Sequence, residues 1–261
     1  MRVSLLAAAA LFVVALAWAG GSGREPGGRG ETAVRTPVLV ELFTSEGCSS
    51  CPPADAFLQK LDQQPVAGAE MIVLSEHVDY WNHIGWKDPY SARFYSDRQS
   101  VYANRFDLDS PYTPQMVVDG SSEFVGSDPA LARKAFDKAL EVQKIAVRLS
   151  AISFGPGNTL QTHVETGVVP GDADVVVAVA LNRAESRVLH GENGGRTLTH
   201  TAVVRTMTKI GSVVRGQGFA QDAQVKIEAG AARDNLRVIV FVQEAHQGKV
   251  LGAAMERVTG N

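Results

Sequence analysis

The pattern of apolar and polar positions divides this chain into two stretches with different periods. Between residues 37 and 143, apolar runs alternate with helix-spaced stripes. Val38-Leu39-Val40-Glu41-Leu42-Phe43 reads as a strand. Ala54, Phe57, Leu58 and Leu61, at i, i+3, i+4 and i+7, predict a helix over 53–63. Met71 to Val78 begins as an almost continuous apolar run, which predicts a buried central strand rather than an edge. Residues 82–110 mix aromatics with charges (Trp86, Tyr90, Phe94, Tyr95, Tyr102, Phe106) and are expected to form a helical insertion. Gln115-Met116-Val117-Val118 reads as a third strand, turned at Asp119-Gly120 into a fourth near Glu123-Phe124-Val125. Asp128 as a cap and Pro129 at the first helical position predict a helix running to about Gln143.

Past residue 144 the helical period disappears. Period-two runs take over at Ile145 to Leu149, Leu160 to Val164, Val175 to Leu181, Val203 to Thr208, Val225 to Ile227 and Val238 to Val242. Turn sequences such as Gly155-Pro156-Gly157-Asn158 separate them. Strands at this spacing predict a sandwich-like all-β domain over 144–261, following an α/β domain over 37–143.

The first residues do not fit either stretch. Arg2, the apolar run Val3 to Trp18 and the small-x-small sequence Ala17-Trp18-Ala19 predict a signal peptide over 1–19. The run is shorter than the ~20 residues a spanning helix needs. Residues 20–36 are read as a disordered leader. The expected location is the periplasm or the exterior, where a disulfide can persist. The formal charge is −3 and no long basic run occurs, which excludes nucleic acid as a partner. No later segment is apolar and long enough to predict a membrane span after cleavage.

The chain has only two cysteines, and they form Cys48-Ser49-Ser50-Cys51, followed at once by Pro52-Pro53. A C-x-x-C between a strand and a helix is the arrangement of a thiol–disulfide centre. The positive end of the helix favours thiolate at the first cysteine. Two alternatives stand beside that chemistry. The pair is an inert disulfide closing a short loop, which stabilises less than the ~3 kcal/mol estimated for a 15-residue loop. Or two thiolates hold Cu(I) or Zn with help from His77 or His83. No cofactor motif is found. Gly191-Glu192-Asn193-Gly194-Gly195-Arg196 lacks the Lys-Ser/Thr ending of a phosphate loop and reads as a hairpin turn. Its functional alternative is a polar patch of Glu192, Arg196 and His200 facing the thiol site.

The order of elements over 37–143 resembles a thioredoxin-like fold. Glu41 stands near where that family keeps a buried acid, and Thr113-Pro114 looks like its cis-proline loop. More finely, Val40 to Asp55, His77 to Trp81, Tyr112 to Gln115 and Gly191 to Leu198 resemble the DUF1223 family of exported bacterial proteins, whose function is unknown. The resemblance implies a thioredoxin-like N-terminal domain with a helical insertion, plus a β-rich C-terminal domain. It implies no known reaction; if the C-x-x-C is catalytic, thiol chemistry makes Cys48 the attacking thiolate and Cys51 the resolving thiol, with Glu41 as a proton shuttle for Cys51 and the Thr113-Pro114 loop aligning substrate backbone. The implied partners are protein thiols or disulfides. Gly47 in place of the thioredoxin Trp, and Ser49-Ser50 in place of Gly-Pro, leave the redox direction open.

Overall fold

Residues 35–258 are described by the computed structural model; the expected signal peptide and nearly all of the expected leader lie outside the described residues. Strand β1 (Thr36–Thr44) is buried along almost its whole length. Val38, Val40 and Leu42 face one side, and Leu39, Glu41 and Phe43 face the other. It pairs in parallel with β2 (Ala69–His77) and antiparallel with β3 (Gln115–Val118). The turn into β4 (Ser122–Val125) places Asp119 at φ 50° and Gly120 at φ 59°, which matches the twist of the flanking strands.

Helix α1 (Pro52–Gln63) and α3 (Pro129–Leu140) pack on the Val38, Val40 and Leu42 side through Ala54, Leu58, Ala135 and Phe136. Asp128 caps α3 as the sequence predicts, its carboxylate accepting from the Ala130 and Leu131 N–H groups at 2.9 and 3.0 Å. The expected helical insertion is one helix, α2 (Arg93–Arg105), with a short 3₁₀ turn at Asn82–Ile84 before it. Tyr95 of α2 packs with Leu39, Ile72 and Leu74 on the opposite side of the sheet from α1.

The second stretch supplies β5 (Val147–Gly155), β6 (Thr159–Thr166), β7 (Ala173–Arg187), β8 (Thr197–Val213), β9 (Ala220–Lys226), β10 (Leu236–Glu244) and β11 (Val250–Arg257). Strands β5, β6 and β9 form a three-stranded sheet over the face of β7 and β10 that carries Val175, Val177, Val179, Val238 and Val240. The alternate residues Val176, Ala178, Ile239 and Phe241 join the core that contains Leu39, Ile72 and Tyr95.

The expected fold class is therefore corrected. An α/β thioredoxin-like domain followed by a separate all-β domain does not form. One mixed eight-stranded sheet runs β11-β10-β7-β8-β2-β1-β3-β4 through both stretches, and the described chain is mostly β with three α-helices. The physical reason lies in β2. Its residues from Met71 to His77 are buried, so its free side cannot end the sheet in water, and β8 covers it. The period-two pattern counts strands, but it carries no signal for which edges meet.

That junction is short, with Ser75 opposite Val203 as its registered pair. Side chains extend it. Tyr95 donates its hydroxyl to the Val204 carbonyl at 2.7 Å. Arg237 of β10, fully buried, forks onto Asp62 near the end of α1 at 2.6 and 2.9 Å. Arg257 of β11 and the Thr201 hydroxyl reach the same carboxylate at 3.0 and 3.2 Å. Burial pushes the Asp62 carboxyl up, and the two guanidinium groups outweigh it and hold it below its ordinary value.

Removing Arg237 leaves the buried Asp62 carboxylate with only the half-exposed Arg257 and the Thr201 hydroxyl, and removing Asp62 leaves the fully buried Arg237 without its counter-ion. Arg237→Met is expected to lower unfolding free energy by about 3–5 kcal/mol in urea titration. Combining it with Asp62→Leu is expected to recover much of that loss. A single variant that costs under 1 kcal/mol would show that the pair does not hold the halves together.

Candidate functional site

Cys48 and Cys51 are joined as a disulfide, with Cα atoms 5.4 Å apart and both residues 0% exposed. The local chain dictates this closeness. Cys51 caps α1, and Pro52 starts the helix at a position where a missing N–H costs nothing. The Cys51 N–H donates to the Cys48 carbonyl at 3.2 Å, closing the turn. Ser49 and Ser50 stand exposed above it. The Ser50 hydroxyl lies 3.3 Å from Cys48 Sγ and 3.5 Å from the Thr113 carbonyl. The Thr113–Pro114 peptide is cis, and the Thr113 hydroxyl accepts from Trp81 Nε1 at 2.7 Å.

The connection between β7 and β8 closes over this loop. It is the glycine-rich hairpin Gly191 to Arg196, and it serves as both a turn and a contact. The Asn193 amide, fully buried, donates to the carbonyls of Glu46 and Cys48, each at 2.9 Å. The Glu192 carboxylate accepts the Ser49 N–H at 2.9 Å. Arg196 holds the Asn193 side-chain oxygen at 2.7 Å.

Beneath the loop sits a cluster of buried ionisable groups. His200 of β8 lies between Glu46 Oε1 at 3.3 Å and Asp55 Oδ2 at 3.7 Å. Those two acids flank the disulfide in the chain. Burial pulls the His200 imidazole toward its neutral form, but Asp55 and Glu46 outweigh it and push its pKa up to about 10. His77 meets Asp88 at 2.7 Å, and the Glu46 N–H donates to the same Asp88 oxygen at 2.9 Å. Burial raises the Asp88 carboxyl, and His77 with the backbone donors holds it at about 2. Trp86 donates to Glu46 Oε2 at 2.7 Å. The His77 and His200 rings meet edge to face, with centroids 4.7 Å apart.

The family model described as "Protein of unknown function (DUF1223)" matches residues 39–243. The chain belongs to the DUF1223 family. No curated protein matches it. It is similar to the crystal structure of a structural-genomics target from Agrobacterium tumefaciens, at 27% identity and TM-score 0.66, with 87% of this chain and 96% of that one covered. HBP35 of Porphyromonas gingivalis shares the fold at 17% identity and TM-score 0.63, with 86% of this chain and 76% of that one covered.

In this DUF1223 protein the structure brings Cys48, Cys51, Thr113 and Pro114 together. It places Glu41 elsewhere. Glu41 lies on the face of β1 opposite α1, where Arg98 Nε donates to one oxygen at 2.7 Å and the Tyr102 hydroxyl to the other at 2.6 Å. His77 is committed to Asp88, and His83 is exposed and bonded to the Tyr80 carbonyl. Among the described residues no group of three or more His, Cys, Asp or Glu is placed to hold a metal ion. Of the patch expected from Glu192, Arg196 and His200, the first touches the thiol loop directly, His200 reaches its flanks, and Arg196 acts through Asn193. Sequence reading missed the buried roles of Glu46, Asp55, Asp88 and Asn193. Asp55 left one signal: it sits three residues before Leu58, on the stripe of α1 that is buried.

Two pH-linked outcomes follow. His200 has a folded pKa above its unfolded value of about 6.5, so its contribution is complete below that pH and is lost as pH rises toward about 10. Thermal unfolding across that range should show Tm falling with pH in the native protein and a shallower slope in His200→Gln; equal slopes would remove His200 from the account. Glu76, also buried, shares Arg98 with Glu41, and burial and then Glu41 raise its pKa well above the ordinary range. Burial thus favours its protonated form. Glu76→Gln should cost less than about 1 kcal/mol at pH 7 and gain on the native protein as pH rises. A loss of several kcal/mol would mean that ionised Glu76 is a required partner of Arg98.

Proposed function

We propose that this DUF1223 protein is a non-catalytic binding module that works outside the cytoplasm and whose Cys48–Cys51 disulfide is a fixed fastening. The observation that carries the reading is the complete burial of both cysteines beneath a loop tied at Glu46, Cys48 and Ser49. Thiol–disulfide exchange needs an incoming thiolate to reach a sulfur, and a buried pair resists it. A standing disulfide fits an oxidising compartment, in keeping with the signal peptide expected from the sequence. Among the described residues no helix is long and apolar enough to cross a membrane. The outer face of the three-stranded sheet offers a partner a polar depression of about 410 Å³ lined by Gln161, His163, Asp222 and Gln224.

A second reading, a thiol–disulfide oxidoreductase acting on protein thiols or disulfides, is favoured by one observation. Ser50 sits over Cys48 with its hydroxyl toward Thr113, beside the cis peptide to Pro114. In that reading a partner thiolate bonds to Cys48 Sγ, the disulfide breaks, and Cys51 leaves as the thiolate. Thr113 and Pro114 line the approach, and Glu41 stands apart on the far face of β1.

Equilibration of the protein with a dithiol–disulfide buffer separates the two. A reduction potential below about −300 mV, with no turnover of insulin, is expected for a structural disulfide. A more oxidising potential, with insulin turnover abolished in Cys48→Ser, would replace the first reading with the second.

A further inference from the structure

We infer that the β7–β8 hairpin, residues 188–196, is a strap that controls how fast any thiol can reach the Cys48–Cys51 disulfide. The inference rests on the reading of the disulfide as a fixed fastening and adds what keeps it closed. Three hydrogen bonds run from two adjacent hairpin residues to the disulfide loop. Asn193 takes the Glu46 and Cys48 carbonyls, and Glu192 takes the Ser49 N–H, all at 2.9 Å. They fix the backbone on both sides of the first sulfur.

The hairpin is built to hold that position. The Val188 N–H donates to the Arg196 carbonyl and the Gly195 N–H to the Val188 carbonyl, at 2.9 and 2.8 Å, which closes its base. Arg196 grips the Asn193 side-chain oxygen, so the amide presents both of its uses at once, N–H to the loop and oxygen to the guanidinium. Gly191 adopts φ +77°, and a Cβ there would meet the Ile84 carbonyl oxygen and Trp86 Cβ at 3.4 Å, so the hairpin lies against the 84–86 turn. Trp86 in turn donates to Glu46, the residue whose carbonyl Asn193 holds. The strap, the turn and the loop therefore form one hydrogen-bonded unit.

Exchange must break into that unit. An attacking thiolate approaches Cys48 Sγ along the line of the S–S bond, forms a new S–S bond, and leaves the electron pair on Cys51 Sγ, which takes a proton from water. A second thiol of the same reductant then releases Cys48 and carries away the disulfide. With both cysteines buried, the loop from Gly47 to Ser50 has to swing outward first, and the bonds from Glu192 and Asn193 oppose that swing. The strap acts on the rate, while the equilibrium potential depends on the two end states.

The test is the rate of reduction of the full-length oxidised protein by excess dithiothreitol, compared across variants of the strap. Glu192→Ala removes an exposed carboxylate and leaves the core intact; its rate is expected to rise several-fold. Asn193→Ala is expected to rise at least tenfold, with Arg196→Ala between them. If Asn193→Ala fails to fold by circular dichroism, the other two decide. Leu160→Ala, which opens a cavity in the core beneath the three-stranded sheet and touches neither the strap nor α1, is the control and should stay near the native rate. Unchanged rates in the strap variants, or an equal rise in Leu160→Ala, overturn the inference, because exchange would then run through global opening. The equilibrium potential tests the fixed-disulfide reading separately: an oxidising value with slow native reduction sinks that reading and leaves the strap standing.

Discussion

Arg237 and Asp62 meet as a two-pronged ion pair with both side chains out of water, and the candidate site depends on where that pair sits. Asp62 lies near the end of α1, which Cys51 precedes as its N-cap; Arg237 belongs to β10, separated from β2 in the sheet by the two strands β7 and β8. A buried charge pair is a costly way to gain stability, because desolvation offsets most of its attraction. Its geometry is demanding, though, since a guanidinium fork accepts a carboxylate in few orientations. Here that demand falls at the junction where the backbone ladder is shortest. With β10 fixed on α1, β7 and β8 follow, and the start of β8 carries His200 and the hairpin to the disulfide.

Strand β1 keeps two buried electrostatic systems apart. On one side Arg98 serves Glu41 and Glu76 with Tyr102 and Gln243 as further partners. On the other side His200 serves Glu46 and Asp55, and His77 serves Asp88. Each system places fewer cations than carboxylates in low dielectric. The two shift in different groups: burial and Glu41 push the Glu76 carboxyl up, whereas Asp55 and Glu46 push the His200 imidazole up. The disulfide lies over the second system, so its surroundings are set by groups drawn from the loop after β1, from β2, α1 and β8, and from the segment before α2.

Much of the local structure was legible in the sequence. The Asp128-Pro129 start of α3, the Asp119-Gly120 turn and strand β3 were each readable from a few adjacent residues, because caps and turns are local chemistry. The 82–110 stretch was read too generously: Tyr95 and Tyr102 face different cores, and only 93–105 is α-helical, with a 3₁₀ turn at 82–84. The last strand, β11, was missed because Gly252-Ala253-Ala254 blunts its alternation. The expected fold class, with its separate all-β sheet, failed for a different reason. A strand such as β2, apolar on both faces, shows that it needs neighbours without naming them. The site divides the same way. The C-x-x-C and the Thr-Pro peptide are motifs and were found. The covering role of Asn193 depends on a contact between residues far apart in the chain, and a turn sequence alone does not announce it.

The hairpin also sets an order of events during assembly. Cys48 and Cys51 are close neighbours in the chain, so they can find one another as soon as the turn before α1 forms. The residues that cover them come much later and take their place only once β8 has found β2. An oxidant therefore has its chance early, while the chain is still incomplete. A chain that docks β8 with its thiols still reduced has shut them in behind the same contacts. For this protein the timing of cross-linking matters, and a late repair would have to begin by lifting the hairpin off the loop.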